Sequence, residues 1–141
     1  MKKTIYDCYR SWIEVDLDAL QHNVYELMSL LDSPQQFMAV VKADAYGHGA
    51  VRISQKLNQI GVSSFAVATL SEAIELRENG IKGDILILGY TEASQMMLIK
   101  KYNLIQTVVD YEHALSLEQE KIDIRVHIAI DSGMHRLGLT T

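Results

Sequence analysis

Strand-like and helix-like segments alternate along this chain with short connections, which predicts an α/β fold with parallel strands and right-handed crossovers. Two architectures fit that pattern: an open doubly wound sheet and a (β/α)8 barrel. The G-x-G-x-x-G fingerprint of open nucleotide-binding sheets does not follow the first strand of the predicted parallel sheet. Residue types suited to catalysis instead follow strand ends, as in barrels. We therefore predict the N-terminal part, about five strands, of a (β/α)8 TIM-type barrel.

The first elements lie ahead of this sheet. Residues 12–17 (WIEVDL) alternate in polarity and predict a strand. Asp18 is the candidate N-cap of the next helix, because Gln21 follows at capping-box spacing. Pro34 then closes the connection to the first barrel strand, residues 37–41. The intervening helix presents apolar side chains at helical intervals: Leu20, Val24, Leu27, Met28 and Leu31.

The remaining elements follow as strand–helix units. The glycine loop after residue 42 leads into a helix that ends near Gly61, and Thr69 or Ser71 caps the second helix of the series. Asp110 caps the last one. We expect strands at 64–68, 84–88, 105–109 and 122–130, and helices at 51–60, 69–78, 92–101 and after 110. Because a closed barrel needs eight strands, five would leave two parallel edges unpaired.

Composition restricts the function classes. The 141 residues are 48% hydrophobic and 22% charged, which is typical of a globular domain, and the net charge of −5 disfavours nucleic acid as a partner. The single cysteine, Cys8, excludes an internal disulfide and suits the reducing cytoplasm, where we expect the protein. Lys2 and Lys3 are not followed by the apolar segment of a signal peptide. No stretch reaches the ~18 apolar residues of a membrane span.

Lys42 is the most informative residue, because it ends a short apolar strand. Alternation places it on one face with Met38 and Val40. A buried ammonium is costly unless it is paired or used, and the usual use is as an amine nucleophile toward a carbonyl compound, pyridoxal phosphate included. Gly47 lets an anion approach the backbone closely, and Tyr46 offers it a hydroxyl. The structural alternative is a lysine that extends its amine to solvent from a strand end.

Three segments together resemble the alanine racemase family: residues 12–17 (WIEVDL), 40–49 (VVKADAYGHG) and 131–138 (DSGMHRLG). The resemblance covers essentially the whole chain, but only the first part of a family enzyme, in which a pyridoxal-phosphate-binding barrel precedes a β-rich C-terminal domain. It implies an N-terminal extension at 1–11, a strand of the missing C-terminal β domain at 12–17, and a partial pyridoxal-phosphate-binding barrel at 18–141. We expect a fragment or a prematurely ended reading frame.

The resemblance also implies roles for three residues. Lys42 would hold pyridoxal 5′-phosphate and exchange the Cα proton of the D-enantiomer. Tyr46 would contribute to the phosphate pocket, and Arg136 would approach the phenolic oxygen of the cofactor and the substrate carboxylate. The family takes its second base from a tyrosine of the other subunit, so we expect a homodimer for the complete protein. No metal is implied.

One departure from the family pattern concerns Arg136. Many members carry a carbamylated lysine at the position of Ala129, and that lysine orients the arginine. Ala129 cannot do so, and an anion or another side chain is expected to substitute; Asp131, on the same strand face as Ala129, is a candidate neighbour for Arg136. In the lysine loop we expect His48 to order the backbone by hydrogen bonds and Asp44 to accept backbone N–H groups.

Four hypotheses remain open. The leading one is a pyridoxal-phosphate-dependent racemase that supplies D-alanine for peptidoglycan, with serine as the runner-up substrate. The second is a non-catalytic cofactor-binding barrel, against which residues 12–17 argue, because in the racemases this strand joins the C-terminal domain. The third is an aldolase that uses Lys42 without a cofactor, and the fourth is an inactive remnant. We expect residues 1–141 on their own to be inactive as a racemase.

Overall fold

A computed structural model describes residues 10–32 and 37–140 of the chain. Its helices are α1 (Leu17–Ser29), the single turn α2 (Lys42–Gly47), α3 (Ala50–Gln59), α4 (Leu70–Glu78), α5 (Met96–Lys101, after the 3-10 turn Ala93–Gln95) and α6 (Tyr111–Gln119). The main strands are β1 (Ala39–Val40), β2 (Ser64–Val67), β3 (Asp84–Ile87), β4 (Ile105–Val108) and β5 (Arg125–Ile128). Two short strands, β6 (Ile130–Asp131) and β7 (Leu139–Thr140), pair with each other in parallel.

The five main strands form one parallel sheet in the sequential order β1-β2-β3-β4-β5. A doubly wound sheet reverses its strand order at a switch point, whereas successive units that all advance in one direction form the wall of a barrel. The sheet therefore confirms the predicted N-terminal part of a barrel. Among the described residues, β1 pairs only with β2 and β5 only with β4, so both edges are open.

The two faces of the sheet differ in what covers them. Ala39 and Val41 belong to the large core beneath the helices, where Phe65, Val67, Ile85 and Ile87 are at most 3% exposed. The opposite, inner face carries a small cluster of Ala66, Leu86 and Ile105 with Met38 and Leu88 packed against it. Hydrophobic burial on the helical side is thus the main stabilisation of the fold.

Arg77 hydrogen-bonds to the backbone at the amino-terminal ends of β3 and β4. Its guanidinium donates to the carbonyls of Ile81 and Gly83 ahead of β3, and of Tyr102 and Asn103 ahead of β4. Burial is the main cause that lowers the pKa of Arg77, but a guanidinium remains charged at any physiological pH. The four hydrogen bonds of Arg77 therefore stabilise the amino-terminal end of the sheet.

The structure corrects two predictions at the N-terminus. Residues 12–16 form no ladder with any described strand, because a strand requires a neighbour that takes its backbone hydrogen bonds. Leu17, the last residue of the predicted strand, is the first residue of α1. The N-cap of α1 is Asp16 rather than Asp18, since the extended Asp16 accepts from the N–H groups of Asp18 and Ala19. The caps expected at Thr69 and Asp110 are confirmed.

Other boundaries differ by smaller amounts. The predicted strand 37–41 is reduced to Ala39–Val40, and the predicted strand 122–130 is divided into β5 and β6 at Ala129. Cys8 and Pro34 lie outside the described residues. The domain limits at residues 1–11, 12–17 and 18–141 stay predictions.

Candidate functional site at the carboxyl end of the sheet

Lys42 lies at the carboxyl end of β1. The last ladder bond of this strand joins the N–H of Val41 to the carbonyl of Ala66 at 2.9 Å, and Lys42 follows directly. The lysine is half-buried, and within residues 10–32 and 37–140 its amine has neither a hydrogen bond nor an ion pair. The amine is therefore available at the end of the sheet where barrel enzymes place their chemistry.

The turn after Lys42 has an uncommon backbone. Four consecutive residues, Ala43 to Tyr46, have φ between 51° and 55° and ψ between 38° and 50°, so α2 is one turn of left-handed helix. For residues with a Cβ this conformation costs roughly 1–2 kcal/mol each. Such strain persists only where surrounding contacts determine the conformation, and it is concentrated at functional sites.

Several contacts within the loop hold this turn. The N–H of Ala45 donates to the carbonyl of Val41, and the N–H of Ala50 donates to the Asp44 carboxylate at 2.6 Å. The His48 ring donates from Nδ1 to the carbonyl of Ala45 at 2.8 Å, since a carbonyl can only accept. These contacts confirm the expected roles of Asp44 and His48 in ordering the loop.

A further contact comes from outside the loop. Glu72, in the first turn of α4, accepts the N–H of Ala43 on Oε1 at 2.8 Å. Its other oxygen, Oε2, accepts the N–H groups of Ala68 at 2.7 Å and Thr69 at 3.2 Å. Sequence reasoning missed Glu72, although the Thr69-x-x-Glu72 spacing of a capping box signals half of its contacts.

Tyr46 and Arg136 occupy different loops at this end of the sheet. Tyr46 belongs to the left-handed turn with Lys42, and 62% of its surface is exposed. Arg136 is exposed on the connection between β6 and β7, which is anchored to β4 by the bond from the Gly138 N–H to the Val109 carbonyl at 2.8 Å. In the described part of the chain, no hydrogen bond or ion pair joins Arg136 to Lys42 or Tyr46. Lys42 and Tyr46 thus belong to one turn after β1, whereas Arg136 lies on the β6–β7 connection, which follows β5 at the other side of the sheet.

Asp131, the expected neighbour of Arg136, makes no hydrogen bond or ion pair with it. Its carboxylate, 8% exposed, accepts the N–H groups of Gly133 and His135 on Oδ1, and the His135 ring lies 3.1 Å from Oδ2. These hydrogen bonds, that of the His135 backbone first, lower the pKa of Asp131. Asp131 therefore orders the loop that carries Arg136 and makes no direct contact with the guanidinium. Ala129 presents only a methyl group there.

The described residues contain neither a metal-binding cluster nor a membrane-spanning helix. No three His, Cys, Asp or Glu side chains within 10–32 and 37–140 are grouped so that they could bind a metal ion. Within the same ranges, no helix has both the length and the apolar character needed to cross a membrane. A cavity of about 550 Å³ lies behind the left-handed turn, between α1 and α3, and neither Lys42, Tyr46 nor Arg136 lines it.

The sequence of this chain is similar to those of known racemases. Residues 15–141 match the model of the alanine racemase N-terminal domain. An amino-acid racemase of Enterococcus faecalis is 50% identical over 127 residues, which are 90% of this chain and 18% of that protein. A serine/alanine racemase of Enterococcus gallinarum is 46% identical over 127 residues, again 90% of this chain and 18% of the relative.

A solved structure shows the same likeness. The alanine racemase of Clostridium difficile 630, in complex with cycloserine, superposes with a TM-score of 0.86 and 38% identity over 93% of this chain and 37% of that one. The chain thus spans about a fifth of the length of the two Enterococcus relatives. The matched family model, the relatives and the shared fold agree that this chain belongs to the alanine racemase family, of which it carries the first part of the N-terminal barrel domain.

Proposed function

We propose that this chain is the cofactor-bearing part of a pyridoxal-phosphate-dependent racemase that interconverts L- and D-alanine. The observation that carries the proposal is the half-buried Lys42, whose amine has no hydrogen bond or ion pair within the described residues and which directly precedes a strained turn at the carboxyl end of the sheet. Strained backbone is concentrated at functional sites, and an amine without an ion pair is available as a nucleophile toward a carbonyl compound.

The residues at this end of the sheet fit the cofactor. Lys42 would hold it through Nζ, the Tyr46 hydroxyl would contact its phosphate, and the permanently charged Arg136 would face its phenolic oxygen and the carboxylate of the substrate. When bound, pyridoxal phosphate delocalises negative charge that develops at the substrate Cα, so that a modest base can remove the proton there.

The chain's own contribution to racemisation would then be proton transfer on one face. The Lys42 amine would take and return the Cα proton of the D-enantiomer, while Asp44, His48 and Glu72 keep the backbone beside it fixed. Inversion also needs a proton carrier on the opposite face, and we assign that role to a tyrosine of a second subunit in a homodimer. The proposed setting is the cytoplasm, where D-alanine would supply peptidoglycan synthesis.

Serine is the second candidate substrate. The Enterococcus gallinarum relative named as a serine/alanine racemase supports it. The two substrates differ by one hydroxyl, and a site that hydrogen-bonds this group discriminates strongly against a substrate without it. Parallel assays with L-alanine and L-serine, in a longer protein that contains residues 1–141, separate the two proposals.

The cofactor assignment is tested by chemical trapping. The chain is mixed with pyridoxal 5′-phosphate, reduced with borohydride and mapped by peptide mass spectrometry. We expect the label on Lys42, and its loss in Lys42→Arg. Lys82 and Lys100 are exposed and serve as internal controls for random labelling. Label distributed over these two lysines at the level of Lys42 would show that the proposed site is wrong.

A further inference from the structure

Glu72 links two loops that meet beside Lys42. One carboxylate oxygen accepts the N–H of Ala43, which follows Lys42, and the other accepts the N–H groups of Ala68 and Thr69, which follow β2. We propose that Glu72 is a positioning residue for Lys42, an inference that rests on the function proposed above for that lysine. It acts through the backbone, since no ion pair joins its carboxylate to the Lys42 amine in the described part of the chain.

The capping box of α4 needs only one oxygen of the Glu72 carboxylate. In a capping box, the N3 side chain returns to the N–H of the N-cap residue, and the Oε2 contact to Thr69 completes that motif in α4. The contact from Oε1 to Ala43 spans 29 positions of sequence and adds nothing to the cap. A glutamine would complete the cap equally well, so the cap does not explain why both oxygens are engaged.

The bond to Ala43 controls the direction of the lysine side chain. The N–H of Ala43 belongs to the rigid peptide plane that also contains the carbonyl of Lys42. Holding that plane restricts the ψ angle of Lys42, which sets the direction of the Lys42 Cα–Cβ bond relative to the plane that Glu72 ties to the loop after β2. Glu72 therefore sets where the Lys42 amine extends at the carboxyl end of the sheet.

The same hydrogen bond holds the first residue of the left-handed turn. Ala43 is the first of the four left-handed residues, and its N–H has no other hydrogen-bond acceptor among the described residues. Without Glu72, this N–H would have to be solvated, and the strained turn would keep only the contacts of Asp44, His48 and the backbone. We expect the peptide plane between Lys42 and Ala43 to rotate in that case.

Three variants isolate the effect. Glu72→Gln keeps the length and one acceptor oxygen. We expect this oxygen to face Ala68 and Thr69, which offer two N–H groups against one from Ala43, so that the NH2 group, which cannot accept, is left toward Ala43. Thr69→Ala removes the other half of the capping box, the hydroxyl that accepts the Glu72 N–H at 3.4 Å, and leaves the carboxylate in place. Glu75→Gln removes one charge from an exposed position on the same helix, where the side chain has no hydrogen bond within the described residues.

Two measurements are made on each variant in the full chain. Hydrogen exchange followed by mass spectrometry reports protection of the Ala43 amide, and it does not depend on the proposed function. Borohydride trapping of pyridoxal 5′-phosphate reports the label on Lys42 relative to Lys82. In Glu72→Gln we expect both protection and Lys42 labelling to fall about tenfold or more, because a charge-assisted hydrogen bond is lost. In Thr69→Ala and Glu75→Gln both should stay within about twofold of the parent.

The outcomes separate the two proposals. Unchanged Ala43 protection or Lys42 labelling in Glu72→Gln overturns the inference, as does an equal loss of labelling in Thr69→Ala, which would assign the effect to the helix cap. A parent chain that does not label Lys42 refutes the proposed function instead, whereas Ala43 protection still shows whether Glu72 holds the turn. If Glu72→Gln does not fold, Glu72→Asp replaces it, since the shorter carboxylate keeps its charge in the first turn of α4 but does not reach Ala43.

Discussion

Arg77 offers the sharpest test of the fold, because a single side chain supports four backbone carbonyls. Its donor atoms lie 2.8–3.0 Å from the carbonyl oxygens of Ile81, Gly83, Tyr102 and Asn103. Arg77→Met keeps the apolar part of the side chain and removes every donor. The variant therefore leaves four carbonyls at the amino-terminal end of the sheet without their partner.

The expected cost follows from the environment of each bond. The bonds to Tyr102 and Ile81 are partly buried, while those to Gly83 and Asn103 are exposed. Each of the two partly buried hydrogen bonds is assigned the lower value for a bond with a charged donor, and each exposed bond a smaller value. Together the four bonds give a loss of about 4 kcal/mol in the free energy of unfolding. For a chain of this size, that loss lowers the thermal midpoint by roughly 12 °C.

Thermal unfolding followed by circular dichroism, at one fixed protein concentration, measures the loss. Arg52→Met is the matched control, because Arg52 is exposed on α3 and its side chain makes no hydrogen bond to a described residue. Its midpoint should stay within about 2 °C of the parent. A midpoint of Arg77→Met as close to the parent as that of the control would refute the reasoning. Lys42 trapping per folded molecule should be unchanged, since Arg77 lies at the opposite end of the sheet.

Three further predictions concern the site loop and the open edge. Arg136→Ala, in a longer racemase that contains these residues, should lower kcat/KM about 100-fold or more and leave the thermal midpoint unchanged, because the side chain is exposed and has no hydrogen bond or ion pair among the described residues. Unchanged kinetics would remove Arg136 from the site. Because the folded-state pKa of Asp131 is lowered from 3.8, its stabilising contribution is present above pH 3.8 and is lost as the pH falls through the lowered value. Unfolding midpoints measured against pH should therefore differ between the parent and Asp131→Asn at neutral pH and converge in acid, and a constant difference would contradict this. Residues 1–141 should self-associate through the outer side of β5, where Val126 is 44% and Ile128 62% exposed; Ile128→Lys should shift sedimentation toward the monomer, and a monomeric parent would contradict the idea.

Local sequence determined most of the elements and their order. Asp110 and Thr69 cap helices because a short side-chain acceptor satisfies N–H groups two or three residues ahead, a contact that needs no tertiary partner. Apolar runs between such caps place β2, β3 and β4 correctly to within about one residue. The same local pattern placed Lys42 at a strand end, and the roles of Asp44 and His48 followed because their contacts stay within the loop.

Tertiary structure decided what depends on distant partners. Residues 12–16 have the polarity of a strand and form none here, because strand pairing requires a neighbour that the sequence of the segment does not specify. Asp131 was expected beside Arg136, yet backbone N–H groups of its own loop use its acceptors. The Glu72 carboxylate reaches Ala43 across 29 positions of sequence, and only the parallel pairing of β1 with β2 brings the two together. Periodicity reports which face of an element is buried, whereas contacts between loops depend on how the elements are placed against one another, and that placement is a property of the folded chain.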